Sequence, residues 1–429
     1  MLATTNAARA QSPETRLTLD EAIAQGLANS HRLAELQARA DAALANEQGR
    51  GAARLPVVAL QGGYMRTNHV EEFAVIAPGP TRQIIYPDVP DNARSRLDLQ
   101  WLVYSGGQLD ALERAARAER EASGDDLAAA RADLRLEVTR AFWALVTARD
   151  AEQVLARSLD RITAYVGDLR ARLEQGLIPP NELLSAQAQQ SRERVASIEA
   201  ANARHIAEAD LRRLTGIEGA GAIAPASPLE APPPAAPADT AALIAAAIEQ
   251  RPERRALVQR ADAARSRIDA ARAAGLPQVG VAAGYDYARP NPRIFPRAGQ
   301  WEDSWDVSIN ATWNLWDGGR VRAARAEATA GERAAEARLA DFDRQVTFEV
   351  RQRALELESS VAAISAAGDG VRAAAEAQRV LGERFAAGVA TNTEVLDAQT
   401  ALLQAELDRT RALASARVAQ ARLDRAVGR

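Results

Sequence analysis

The chain has 429 residues, 47% of them hydrophobic and only 4% aromatic, with no cysteine and a formal net charge of -4 carried by arginine, aspartate and glutamate alone, since lysine is absent. That composition excludes a disulfide framework and a thiolate metal site. The interspersed charges describe solvated helix faces rather than the basic stripe of a nucleic-acid binder. No stretch reaches the ~18 apolar residues of a membrane-spanning helix, so any membrane segment in this chain is a β-strand.

Residues 1–16 read as a tail. Ala8-Arg9-Ala10 before Gln11 has the small-x-small pattern of a signal-peptidase site, but the basic and apolar regions that should precede it are missing, so a signal remnant and an ordinary Ala-rich start both stand. Leu17 to Arg50 is predicted helical, opened by Thr18 and closed by Gly49 and Gly51. Val57 to Tyr64 then alternates with period two, placing Val58, Leu60 and Tyr64 on one face. Thr67 to Ala93, with Pro78, Pro80, Pro87 and Pro90, reads as a long loop, and Leu97 to Tyr104 as a second strand that places Trp101 on the apolar face. A long helix follows from Gln108 to about Gln175, and Leu155, Leu159, Ile162, Val166, Leu169 and Leu173 give it a coiled-coil seam. After Gly176 and Pro179-Pro180 a shorter helix runs to Thr215, and residues 217–239 form a proline-rich linker.

Beyond the linker the order returns. Helix Thr240 to Ala274, strand Gln278 to Tyr287, loop, strand Ser304 to Trp316, long helix Arg320 to Ala387, a turn, and helix Thr393 to Val427 repeat the first half, so 17–216 and 240–429 are two structural repeats. The two turns, Arg172 to Gln187 and Arg384 to Gln399, match to the residue: Gly176 and Gly388, Glu182 and Glu394, and Gln187 and Gln399 share one offset, as do Trp101 and Trp313. In the second repeat Val281, Tyr285, Ile309 and Trp313 lie on wholly apolar faces opposite small or polar ones, the alternation of transmembrane β-barrels. Four strands cannot close a barrel, and an open edge cannot sit in lipid, so other copies must complete it; a trimer supplies 12 strands. Long helices of roughly 68 residues span about 100 Å, and two shorter ones placed end to end reach as far. The expected fold class is therefore a mixed α/β membrane protein, a long α-helical coiled-coil barrel continuing a transmembrane antiparallel β-barrel.

The ordered set in duplicate, with YSGGQ at Tyr104 to Gln108, WDGGR at Trp316 to Arg320, and hairpins carrying Arg172, Gly176, Glu182, Leu183 and Arg384, Gly388, Glu394, Leu396, Asp397, resembles the TolC-type outer membrane efflux proteins over essentially Leu17 to Gly428. The resemblance implies a homotrimeric exit duct in the Gram-negative outer membrane with a periplasmic helical tunnel. It would meet a periplasmic membrane-fusion adaptor and an inner-membrane pump of RND, MFS or ABC type, with no cofactor and no catalytic residue. The rival reading is a soluble periplasmic coiled-coil adaptor, which the four alternating strands disfavour.

Under that reading Glu182, Glu394 and Asp397 form carboxylate rings at the narrow end. Glu394 reads equally as half of a capping box with Thr391, and Glu182 as a first-turn acid after Pro180, whereas Asp397 is needed by neither cap and is the better pore candidate. Phe385 stands at the position of a gating aromatic, or packs in the seam. Arg172, Gly176, Leu177, Arg384, Gly388 and Val389 are candidates for adaptor docking, and Leu60, Tyr64, Trp101, Val281, Tyr285, Ile309 and Trp313 for lipid contact. Gated family members can carry an arginine two residues after the second glycine; Ala390 stands there in this chain. His31, His69 and His205 are isolated, without a second ligand at metal spacing.

Overall fold

The computed structural model describes residues 15–76, 82–218, 221–227, 229, 234–235 and 239–429. The signal-like Ala8-Arg9-Ala10, Pro78 and Pro80 of the long loop, and Pro228, Pro232, Pro233 and Pro237 of the linker lie outside the described residues. In chain order the elements are β1 (Thr15–Leu17), α1 (Leu19–Asn29), α2 (His31–Ala52), β2 (Val57–Arg66), β3 (Phe73–Ile76), β4 (Arg82–Tyr86), β5 (Asp91–Tyr104), α3 (Gln108–Glu174), α4 (Pro180–Thr215), β6 (Ile223–Pro225), α5 (Thr240–Gln250), α6 (Pro252–Ala273), β7 (Gln278–Arg289), β8 (Glu302–Thr312), α7 (Arg320–Ala386) and α8 (Asn392–Val427). Among the described residues no helix is long and apolar enough to cross a membrane. Two compact units emerge, each drawing on both repeats: residues 1–37, 125–254 and 340–429 in one, 38–124 and 255–339 in the other.

The first unit is helical. Its main core gathers Val138, Phe142 and Leu145 of α3 with Leu211 of α4 and Leu413 of α8. The expected seam of α3 is present, with Leu155, Ile162, Val166 and Leu169 buried. Two predicted helices are each broken in two. The stretch from Leu17 to Arg50 breaks at Ser30, whose backbone is extended and whose Oγ accepts from the Leu33 N–H at 3.3 Å. The stretch from Thr240 to Ala274 breaks at Arg251, the residue before Pro252, which disfavours helical backbone there. The linker also contains structure: β6 pairs in parallel with β1, and Leu17 and Ile223 enter the main core. Side chains fasten that strand, since Arg149 Nη1 donates to the Ile223 carbonyl at 2.7 Å and Glu208 Oε1 accepts from the Ile223 N–H at 3.1 Å.

The break at Arg251 also carries an ionic hub. Arg251 donates to Glu349 of α7 at 2.6 Å and to Glu253 at 3.2 Å, and Arg425 of α8 pairs with Glu253 and, at 2.7 Å, with Asp133 of α3. Burial pushes the Glu253 carboxyl up, but the hydrogen bonds from Arg425 and Arg251 outweigh it and hold the group below the usual carboxylate range. Removing one cation from this network leaves the partly buried Glu253 carboxylate with one arginine partner fewer, so the hub helps fix how four helices meet.

The second unit is built on a four-stranded antiparallel sheet in the order β2-β5-β7-β8. The long loop predicted from Thr67 to Ala93 is in part structured: β3 and β4 form a hairpin, and β5 starts at Asp91 rather than Leu97. Pro87 and Pro90 sit between β4 and β5, where their missing N–H groups cost no ladder bond. In the second repeat β7 continues to Arg289, whereas β8 stops at Thr312, short of the predicted Trp316. The sheet is open, with β2 and β8 as its two edges.

Candidate channel elements

The hairpin between α3 and α4 closes as Gly176 turns to φ +72, so that its N–H reaches Leu173 O at 2.9 Å and the Leu177 N–H reaches Arg172 O at 2.9 Å. The hairpin between α7 and α8 repeats this at Gly388, φ +77, with bonds to Phe385 O at 3.0 Å and from the Val389 N–H to Arg384 O at 2.9 Å. These are Schellman ends, and an L side chain at either glycine would carry the left-handed penalty. Both turns present an apolar side chain to solvent at the next position, Leu177 at 67% exposure and Val389 at 61%. Arg384 is exposed and donates back to the Val389 carbonyl at 3.3 Å.

The two hairpins pack on each other. Phe385 lies partly buried against Val166, Leu169 and Ala186; its ring is 5.8 Å from that of Tyr165, and the Arg172 guanidinium lies 5.1 Å from its centroid. The packing role weighed for Phe385 is thus present in the structure. Tyr165 Oη donates to Asn392 Oδ1 at 2.7 Å, and Asn392 Nδ2 donates to the Glu182 carbonyl at 3.0 Å. Burial, and then the nearby Glu182 charge, push the Tyr165 hydroxyl up, so it stays a donor throughout the physiological range. Neither Tyr165 nor Asn392 stands out in the sequence, because each joins parts of the chain more than 200 residues apart.

The three acids differ in what they do. Glu394 completes a capping box: it accepts from the Thr391 N–H at 2.7 Å while Thr391 Oγ1 accepts from the Glu394 N–H at 3.3 Å. These bonds from Thr391 hold its carboxyl below the usual range. Glu182 follows a helix start at Pro179 that has no side-chain cap, and its carboxylate has no hydrogen-bond partner among the described residues. Asp397 is exposed, and likewise has no partner among them.

At the sheet, the cross-strand register gathers Leu60, Tyr64, Trp101, Val281, Tyr285 and Ile309 of the predicted lipid-facing residues onto one face, and Trp313 lies one residue past the end of β8. Leu60, Leu97, Tyr285 and Trp305 form one row, and Trp101, Val281 and Ile309 another. Leu60 is 75% exposed and Ile309 73%, a sheet face without cover in the single chain. Trp101 Nε1 donates to the Arg54 carbonyl at 2.8 Å, and Trp313 Nε1 to the Gly275 carbonyl at 3.1 Å. Each acceptor precedes a Leu-Pro pair that opens the next strand, so the two repeats build the same tie. The polar tip of the indole is satisfied while its ring faces outward, the arrangement favoured at a membrane boundary.

The opposite face, where the alternation already places Asp286 and Asp306, also holds arginines and Asp98 that the sequence reading missed. Arg96 bonds Asp98 at 2.6 Å, Asp286, and Asp306 at 3.3 Å, while Arg94 reaches Asp286 at 2.5 Å and Arg293 reaches Asp306 at 2.7 Å. Gly284 makes room for this, because a Cβ there would overlap the Arg96 guanidinium. The available signal was the alternation of Arg94, Arg96 and Asp98 with Leu97 and Leu99, obscured by the prolines just upstream.

An uncovered apolar sheet face with a charged reverse side, carried by a chain with two 67-residue helices ending in hairpins, defines the class of outer-membrane channel subunits with a helical tunnel. Residues 22–217 and 243–429 match the family of outer membrane efflux proteins, and the chain belongs to that family. Its place is the outer membrane, with the helical part in the periplasm. The chain is similar to protein CyaE of Bordetella pertussis, 30% identical over 242 residues that cover 53% of this chain and 49% of the relative, about half its length. Its fold is similar to that of a membrane protein from Pseudomonas aeruginosa, with a TM-score of 0.81 and 22% identity, covering 96% of this chain and 92% of the other. It is also similar to the outer membrane protein VceC from Vibrio cholerae, with a TM-score of 0.78 and 20% identity, covering 96% of both chains.

Proposed function

We propose that three copies of this chain assemble into the passive exit duct of a tripartite efflux or secretion system. The observation that carries this reading is the open sheet. Its two edges and the apolar band of its outer face have no cover in one chain, and exposed ladder groups cannot face hydrocarbon. Pairing β8 of one copy with β2 of the next removes every edge and yields a 12-stranded barrel. The hairpins then form the periplasmic mouth. Leu177 and Val389, on turns shaped by Gly176 and Gly388 and flanked by Arg172 and Arg384, dock a membrane-fusion adaptor, which links the duct to an inner-membrane pump of RND, MFS or ABC type. The cargo is a small toxic solute or a secreted substrate, driven by the pump, and the duct itself catalyses nothing.

Of the acids at the mouth, Asp397 is exposed and unpartnered among the described residues, which supports it as the ring that meets permeants, with Glu182 second. Glu394 contributes charge from within its cap, and Phe385 narrows the mouth from its packed position. The test is to purify the protein and measure its mass and conductance. A detergent-dependent particle of three times 45.9 kDa that conducts in a planar bilayer is expected, and a detergent-free monomer would sink the reading. In the same bilayer Asp397→Ala should weaken block by divalent cations severalfold; unchanged block returns Asp397 to a structural role.

A further inference from the structure

Followed along the strands away from the helices, the apolar face of the sheet changes character in steps. After the row Leu60, Leu97, Tyr285, Trp305 comes Tyr287, whose ring stacks on Trp301 with centroids 5.0 Å apart. The next row is Tyr64, Ala93 and Arg289, so a guanidinium stands on the same face just beyond the aromatic rim. Arg289 Nε donates to the Gly299 carbonyl at 2.6 Å; Arg297 donates to Tyr86 Oη at 3.0 Å with its guanidinium 5.0 Å from that ring's centroid. Neither meets a carboxylate among the described residues. Three other arginines at this end do: Arg66 pairs with Asp91 at 3.4 Å, Arg94 with Asp286 at 2.5 Å and Arg293 with Asp306 at 2.7 Å. Arg289, Arg297 and Arg94 line one cavity of about 410 Å³, whose other walls include Tyr64, Pro290 and Pro292.

We infer that this cavity binds the phosphate of an outer-leaflet lipid headgroup, of the bis-phosphorylated class that lipid A represents. Arginine forks match phosphate oxygens in a bidentate geometry, and two uncompensated guanidiniums at the edge of an apolar band are stabilised by an anion that arrives with acyl chains attached. Those chains continue down the face past Tyr64 and Leu60, which free phosphate would leave unused. The site rests on the reading of the sheet as membrane-spanning, since only then do Arg289 and Arg297 lie at the level of headgroups.

The test is native mass spectrometry on the detergent-solubilised wild-type assembly with three probes: bis-phosphorylated lipid A, the same lipid with its phosphates removed, and inorganic phosphate. The bis-phosphorylated lipid should bind at least about tenfold more tightly than the dephosphorylated one, a comparison that needs no variant. The double substitution Arg289→Ala with Arg297→Ala should lose about the same factor, and Arg289→Lys with Arg297→Lys should recover part of it. Equal binding of the two lipids overturns the inference. Inorganic phosphate displacing the lipid at equal concentration would assign the arginines to a free anion and also overturn it. A wild type that conducts in a bilayer but does not distinguish the lipids removes this site and leaves the duct; one that neither conducts nor needs detergent removes both.

Discussion

The two hairpins share a turn and differ in how the second helix starts. Both stop the first helix with a left-handed glycine and both expose one apolar residue after it. Then α4 starts on Pro179-Pro180 with no side-chain cap, whereas α8 starts on a Thr391–Glu394 capping box. Proline at the first helical positions fixes φ and removes an N–H that would lack a partner, so α4 needs no acid at its start. The box satisfies donors by spending a carboxylate. Glu182 and Glu394 are equivalent in the alignment of repeats, yet the first carboxylate has no hydrogen-bond partner among the described residues and the second accepts from the Thr391 N–H and hydroxyl. Equivalent position does not make equivalent chemistry.

That contrast can be broken experimentally. The largest effect is expected for Phe385→Ala, which removes the ring between Tyr165 and Arg172; it should cost about 2 kcal/mol, less than a full core truncation because the ring is partly buried. Hydrogen exchange should then speed up at both hairpins, and loosening of the second alone would show that they do not support each other. Next, Gly176→Ala and Gly388→Ala should each cost about 1–2 kcal/mol, equally, because the two turns are the same; a clear difference in local opening would refute that likeness. A smaller effect, about 1 kcal/mol, is expected for Thr391→Ala, confined to the first turn of α8. Acid should imitate it. The folded Glu394 carboxyl is held below its ordinary range, so the box contributes fully at neutral pH and is lost as pH falls below about 4. Amides in the first turn of α8 should therefore exchange faster on acidification than intrinsic rates predict, while those of α4 follow the intrinsic rates.

Much of this architecture was legible because it is periodic. The strands of the second repeat alternate without interruption, and the helical seam buries residues at the spacing the sequence displays. What was not legible depends on single positions or on distant pairs. Ser30 and Arg251 each break a helix that the apolar pattern alone would continue, Ser30 by accepting from the Leu33 N–H and Arg251 by preceding Pro252, single-residue causes that the periodicity hides. The pair β1–β6 is three residues long on each side, too short to carry a pattern. Arg94 and Arg96 follow Pro87 and Pro90 and fall between the predicted loop, which ended at Ala93, and the predicted strand, which began at Leu97, although the strand has already begun at Asp91. At the hairpins the turns and acids could be placed, but which acid is engaged depended on a cap that the sequence offered only as one alternative.

The indole ties also set a length. Trp313, fixed to the Gly275 carbonyl, marks one boundary of the apolar face, and Trp305, in the row of Tyr285, lies near the other. Eight residues of extended chain separate them, roughly 27 Å at ~3.4 Å each before any strand tilt. Tilt shortens this further, so the sheet matches a thin hydrocarbon layer and would be mismatched in a thicker one. Because the Trp101 and Trp313 indoles are bonded to the turns where the helices end, that boundary of the apolar face is fixed relative to those turns, and a thicker hydrocarbon layer would have to thin locally to match the sheet.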